Sequence, residues 1–228
     1  MAIDRTALKK SQEFSHILAR IPQYEPTVIL DVGANVGDNA DAYATIFPDA
    51  VIHAFEPVPA THDALIARVG SRPNVKVHNL ALSDREGSVR MWTKGTSPGA
   101  FIITDPKKHY KDEVAVRTRP GADFVRETGI ERISYLKIDA EGHDLEVLQG
   151  FGDTLERADF VQVEAGMNPH NKHHVPFRVL EDVLRAHGFL LFQFYEQSFE
   201  FFHGGSPVLR RTNPLFINGR MVDLSAFG

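Results

Sequence analysis

The sequence predicts an α/β fold, a mostly parallel sheet with helices on its faces. Three observations carry that prediction. Short apolar runs alternate with stretches of helical periodicity, the runs stop at glycine, proline or acidic residues, and 228 residues suffice for one domain with its own core.

Along the chain, Leu8, Phe14, Ile17 and Leu18 fall near helical spacing, so a leading amphipathic helix ends before Pro22. Thr27 to Asp31 is an apolar run stopped by Gly33, a helical stretch from Val36 to Ile46 leads to Pro48, and Val51 to Phe55 is a second strand stopped by Pro57. A third cycle places a helix at Ala60 to Val69 and a strand at Val75 to Leu80. Strands joined by helices of this length are βαβ units, whose crossovers force a parallel sheet. Ser88 to Thr93 and Val114 to Thr118 read as short strands around a loop rich in Gly, Pro and Lys, which is a lid or an insertion. Alternation resumes with helix at Pro120 to Thr128, strand at Ile133 to Ile138, helix at His143 to Gly150 and strand at Asp159 to Glu164. A helix from Pro176 to His187 stops at Gly188, and Phe189 to Tyr195 with Leu215 to Asn218 close the sheet in an antiparallel manner. This divides the chain into an N-terminal helical extension, residues 1–25, and one α/β domain, residues 26–228.

Lys plus Arg is 25 against 30 for Asp plus Glu, a net charge of -5, so nucleic acid meets a mildly repulsive surface and is set aside as a partner. The chain has no cysteine, which excludes thiolate nucleophiles and thiolate metal sites and fits a reducing compartment. Met1 to Arg20 lacks an apolar leader and no stretch has membrane-spanning length, so a cytoplasmic location is expected. A homodimer would be an ordinary assembly, though nothing in the sequence sets it.

Ligands of open α/β sheets bind beyond the carboxyl ends of the strands. At the first such end stands Asp31-Val-Gly-Ala-Asn-Val-Gly37, whose small residues let the backbone approach a ligand; at the second stands Glu56, nineteen residues after Gly37, able to accept from both hydroxyls of a ribose. Taken singly, Gly33 and Gly37 suit an ordinary strand-to-helix turn and Glu56 a solvated loop acid. Their combination favours a nucleoside cofactor. Neither G-x-G-x-x-G nor G-x-x-x-x-G-K-[ST] is present, and an acid precedes the loop, so a cofactor with an amino group and no phosphate fits, a profile that S-adenosylmethionine has.

Asp31 to Gly37, Phe55-Glu56-Pro57, Ala81 to Asp84 followed by Gly87, and Leu136 to Gly142 running into Leu145 to Gly150 resemble, in order, the motifs of FkbM-type S-adenosylmethionine-dependent methyltransferases, over about residues 26 to 166. The resemblance implies a class I methyltransferase (Rossmann-like) fold, a seven-stranded sheet ending in an antiparallel hairpin, and methylation of a hydroxyl on a sugar or natural product. It further implies that Asp31, Gly33, Ala34, Asn35 and Gly37 line the methionine end of the cofactor, that Glu56 and Pro57 hold the ribose, that Ala81, Leu82 and Ser83 border the adenine, and that Asp139 sits beside the reacting centre.

At the fourth strand end Asp139, Glu141, His143 and Asp144 crowd one turn. Asp144 reads as a helix cap, whereas Asp139 and Glu141 read as functional. A sugar hydroxyl is a poor nucleophile, so a general base is expected, with Asp139, His143 and Glu164 as the catalytic candidates. Asp139 and Glu164 at adjacent strand ends also form a candidate Mg²⁺ pair, with plain hydrogen bonding as the alternative. His170, His173 and His174 follow in a polar loop that, with Glu141, suits acceptor binding. Lys107, Lys108 and Lys111, and also Arg210 and Arg211, contact an anionic substrate or are simply solvated; Trp92 has no assigned role, and Phe192, Phe194, Phe199, Phe201 and Phe202 read as structural. The preferred reading is O-methylation of a saccharide or glycan precursor. The alternatives are methylation of a polyketide or other natural-product hydroxyl, an NAD-dependent oxidoreductase, and a non-catalytic cofactor-binding module.

Overall fold

The structure, a computed structural model, describes residues 3–96, 99–200, 208–223 and 225; Phe201 and Phe202 lie outside the described residues. The elements are α1 (Gln12–Arg20), β1 (Val28–Val32), α2 (Asp38–Ile46), β2 (Val51–Phe55), α3 (Pro59–Val69), β3 (Val75–His78), β4 (Ala81–Ser83), β5 (Gly87–Trp92), β6 (Phe101–Ile102), β7 (Glu113–Pro120), α4 (Gly121–Thr128), β8 (Ile133–Ile138), α5 (Asp144–Phe151), β9 (Ala158–Gln162), β10 (Ala165–Gly166), α6 (Phe177–Ala186), β11 (Phe189–Glu200) and β12 (Val208–Asn218). Each helix falls where periodicity and punctuation place it. The Ser11 hydroxyl caps α1 by accepting from the Phe14 N–H, and Pro59 opens α3 where a missing N–H costs nothing.

The main sheet runs β3-β2-β1-β8-β9-β12-β11, parallel from β3 to β9 and antiparallel on both sides of β12. The seven expected positions are filled by eight strands. The run expected from Asp159 to Glu164 breaks after Gln162 and resumes as β10, and both pieces pair with β12. Pro214 stands at the break: its carbonyl accepts from the Val163 N–H at 3.2 Å, but it has no N–H to return to the ladder. Glu164 therefore sits in an interruption, free to turn toward its own partners.

Residues 81–120 depart from the expectation of two short strands and a loop. They build a second sheet, β4-β7-β5-β6, with β5 and β7 antiparallel from Gly87 opposite Thr118 to Trp92 opposite Glu113. Ala81, Met91 and Val116 bury its inner side together with Val58.

Both faces of the main sheet are covered, which explains why its strands read as unbroken apolar runs. Ile29, Ile52 and Tyr135 pack with Phe14, Ile17 and Tyr43 of α1 and α2 on one face. Leu30, Leu136 and Ile138 pack with Phe124, Phe151 and Leu180 of α4, α5 and α6 on the other. Among the described residues no helix is long and apolar enough to cross a membrane.

Close backbone approach fixes how α5 sits against the second sheet. A Cβ on Gly150 would overlap the Ser83 carbonyl oxygen of β4. Gly150→Ala is therefore expected to cost about 1–3 kcal/mol in chemical denaturation, because backbone cannot yield as a side chain does. Wild-type stability in that variant would mean α5 does not rest on β4.

Candidate active site

The loop after β1 is pinned to the end of β2. Gly33 and Ala34 both donate their N–H to the Phe55 carbonyl, at 3.0 and 2.9 Å. Gly33 has φ +79°, and a Cβ there would overlap the Asp139 carbonyl oxygen, so only glycine lets the β1 loop lie against the end of β8. Asn35 follows at φ 49° and donates its N–H to Glu56 Oε2 at 3.0 Å, while Glu56 Oε1 accepts from the Val58 N–H at 2.9 Å. Burial pushes the Glu56 carboxyl up to about 7, against the pull of those two N–H groups. Loop and carboxylate line a crevice of about 470 Å³ at the carboxyl ends of β1, β2 and β8.

Beneath its floor three charges share the sheet. Asp31 on β1 lies opposite Lys137 on β8, and the Lys137 ammonium donates to Asp139 Oδ2 at 2.8 Å. Asp31 is wholly buried with neither oxygen hydrogen-bonded, and burial pushes its carboxyl up to about 6 although Lys137 opposes the shift. Burial alone would lower Lys137, but Asp139 and then Asp31 more than offset it and hold the ammonium above its ordinary range. Burial would likewise raise Asp139, yet Lys137, with Arg211 and His174, keeps that carboxyl below the usual range.

The turn from β8 into α5 carries the next group. Gly142 has φ +93° and a Cβ there would overlap the His173 carbonyl, which seats the loop after β10 directly over this turn. Glu141, at φ 50°, spans two walls: Oε1 accepts from the Gly99 N–H at 3.0 Å and Oε2 lies 3.0 Å from His173 Nε2. His143 Nε2 lies 2.9 Å from Ser83 Oγ, and the Ser83 hydroxyl donates to Asp84 Oδ1 at 3.1 Å. Ser83 Oγ, whose proton goes to Asp84, faces one ring nitrogen of His143, and the Glu146 carboxylate faces the other, Nδ1, at 3.4 Å. Burial lowers the His143 pKa, and the ring is neutral at pH 7. Asp144 does not cap α5 as expected: His143 holds the N-cap position, and Asp144, the first helical residue, reaches across so that its Oδ1 accepts from the Glu164 N–H at 3.0 Å.

Glu164 is buried and held from two sides, by Arg211 Nη1 at 2.5 Å and by His174 Nε2 at 3.1 Å. Asp139 and Glu164 both line the crevice, but each already has a cationic partner, Lys137 for one and Arg211 for the other. The positive charge that the expected Mg²⁺ pair would require is thus supplied by side chains. Glu141, His173 and His174 bring their polar atoms within 4.8 Å of one another, whereas His170 is exposed and makes its hydrogen bond through its backbone N–H to Asn168.

Of the sequence-predicted residues, Gly33, Ala34, Asn35, Glu56, Pro57, Ala81, Leu82, Asp139, Glu141, His143 and Glu164 line the crevice. Asp31 lies behind it, Gly37 caps α2 with its missing Cβ making room for Leu65, and Ser83 turns away to His143. Lys137, Glu196 and Arg211 also line the crevice without having been assigned there. A lysine inside an apolar strand was the available signal for Lys137, since lysine is almost never buried unpaired.

Comparison with known proteins agrees with this geometry. Residues 31–191 match the methyltransferase FkbM domain. The chain belongs to the FkbM methyltransferase family. Its relatives include the 2-O-methyltransferase NoeI of Sinorhizobium fredii, 26% identical over 69% of this chain and 70% of that protein, and the hexuronic acid methyltransferase AglP of Haloferax volcanii, 32% identical over 64% and 59%. The 31-O-demethyl-FK506 methyltransferase FkbM of Streptomyces tacrolimicus is 27% identical over 71% and 72%. Magnesium protoporphyrin IX methyltransferase from Synechocystis, solved with bound S-adenosylmethionine, superposes with TM-score 0.51 at 8% identity, covering 93% of this chain and 79% of that one, a likeness of fold alone. The chain is a methyltransferase of class I architecture.

Replacing Lys137 by Met would leave Asp31 and Asp139 without their shared cation. We expect Lys137→Met to lose about 3–5 kcal/mol in urea denaturation at pH 7. The deficit should shrink on acidification through about 6, where the raised Asp31 carboxyl takes up its proton. A pH-independent deficit would remove electrostatics as its cause.

Proposed function

We propose that this methyltransferase transfers a methyl group from S-adenosylmethionine to a hydroxyl of a saccharide. The Glu56 clasp carries the donor half of the reading: a buried carboxylate fixed by two backbone N–H groups, with its remaining lone pairs turned to the crevice, suits the two hydroxyls of a ribose. The residues present fit the group in two further respects. Asn35 Oδ1 is a buried acceptor without a partner in the crevice wall, and Ala81 and Leu82 give an apolar edge for an adenine. The acceptor half is supported by the names of NoeI and AglP, an O-methyltransferase and a hexuronic acid methyltransferase.

When bound, S-adenosylmethionine supplies an electrophilic methyl on a positively charged sulfur. The crevice walls hold the acceptor hydroxyl in line with it, an orientation effect that reaches effective molarities of about 10⁵ to 10⁸ M in favourable systems. His143 would take the hydroxyl proton as that oxygen gains the methyl group, and Glu146 Oε2, buried and 3.4 Å from His143 Nδ1, would steady the imidazolium so formed. Asp139, held ionised by Lys137, and Glu164, locked by Arg211 and His174, serve as fixed charges and hydrogen-bond acceptors around the reacting centre rather than as proton carriers.

Two outcomes follow. S-adenosylhomocysteine, titrated calorimetrically, should bind more tightly as the pH rises through about 7, because the hydroxyls favour the ionised form of a carboxyl whose folded pKa burial has raised. Glu56→Gln should weaken binding and flatten that profile; a profile unchanged in the variant would discard the clasp. With radiolabelled donor and a panel of simple glycosides, His143→Asn should lower kcat by about 10² to 10⁴-fold and leave S-adenosylhomocysteine affinity intact. Retained kcat would move the base elsewhere.

A further inference from the structure

A second cavity, of about 360 Å³, opens beside the crevice and shares Ile102, Glu141 and His143 with it. Its outer wall comes from the segment around β6, with Phe101 and Tyr110, and its inner wall from the turn into α5, with Glu141, His143 and Glu146. The loop after β10 adds Lys172 and His173.

We propose that this cavity is the acceptor chamber, and that it takes an uncharged pyranose ring laid on Phe101 with a hydroxyl pointing at His143. The inference rests on the reading of the crevice as the methyl-donor site and goes further by naming where the acceptor lies and what kind of acceptor it is. Three observations support it. The chamber meets the crevice at His143, the one imidazole the two share, so a ligand in it has a hydroxyl at the junction of the two spaces. Its aromatic wall is braced: Phe101 stacks on Trp92 at 5.4 Å and meets Tyr110 and His173 edge-on at 5.8 and 6.2 Å. Such a ring offers a flat apolar surface to the C–H face of a sugar, whereas the opposite wall offers the carboxylates of Glu141 and Glu146. Carboxylates of this kind accept from hydroxyls, and a polyol is the ligand that has an apolar face and many hydroxyl donors at once.

Charge narrows the class. The lining holds Asp105, Glu141 and Glu146 against Lys108 and Lys172, so the chamber has no surplus positive charge to draw a carboxylate or phosphate. A polyketide hydroxyl is disfavoured on different grounds, because its hydrocarbon surface would strip water from these charged groups without replacing the hydrogen bonds.

Trp92 is the sole tryptophan of the chain, and its stacking on Phe101 makes it a reporter built into the wall. The experiment follows its emission with S-adenosylhomocysteine at saturation while methyl α-glucopyranoside, methyl α-fucopyranoside, methyl glucuronoside or cyclohexanol is added. A saturable change with a neutral pyranoside is expected, weaker for the glucuronoside and absent for cyclohexanol. Phe101→Ala should weaken pyranoside binding about tenfold and leave S-adenosylhomocysteine affinity unchanged, and Phe101→Leu, which keeps the apolar volume, should weaken it as well. Absence of any saturable response to the neutral pyranosides, tighter binding of cyclohexanol or the glucuronoside, or wild-type binding in both variants would overturn the proposal. Calorimetry with S-adenosylhomocysteine separates the two readings: donor binding without pyranoside binding defeats the chamber alone, and loss of donor binding in the wild-type protein defeats the reading beneath it.

Discussion

The site depends on one buried ammonium. Lys137 lies inside the sheet between Asp31 and Asp139, and its charge allows two carboxylates to occupy the ends of neighbouring strands, one wholly buried and one facing the crevice. A buried ion pair gives little net stability, since desolvation offsets most of the attraction, but removing one member is costly. The arrangement is therefore better understood as specification than as reinforcement. Asp31 stands opposite Lys137 in the register of β1 against β8, and just beyond it Gly33 meets the Asp139 carbonyl that shapes the crevice floor.

From that floor the rest follows by short-range contacts. The Phe55 carbonyl receives two N–H groups from the β1 loop, the loop returns one N–H to Glu56, and Glu56 is thereby fixed at the mouth of β2. On the other side the β8 turn is seated by the His173 carbonyl and gives His143 to Ser83. Glu56 is thus held by backbone and His143 by the Ser83 side chain, and burial raises the Glu56 carboxyl while it lowers the His143 ring. Both shifts have a single origin, the exclusion of water from the charged form.

The strands and helices were legible because apolar runs and their Gly and Pro stops are local properties, and the motifs from Asp31 to Gly150 carried the family. What could not be read were side-chain directions decided by distant chain. Ser83 sits beside residues of the crevice, yet β4 carries it under α5, where His143 claims its hydroxyl. His170 and His173 share one polar loop, but only the second lies over the turn, since Gly142 admits the loop backbone at that point. The second sheet escaped notice because β4 and β6 span three and two residues, too few for an alternation to declare itself. Pro214 did stand in view as a ladder breaker; that it lay opposite Val163, just before Glu164, required knowing which strand lay next to it.

Glu141 ties together parts of the chain that are remote in sequence, one carboxylate oxygen on the segment before β6 and the other on the loop after β10. The two flanks of the entrance are consequently governed by a single fastener. Loss of that one side chain would remove both ties at once, although the two segments are joined to each other by no closer stretch of chain.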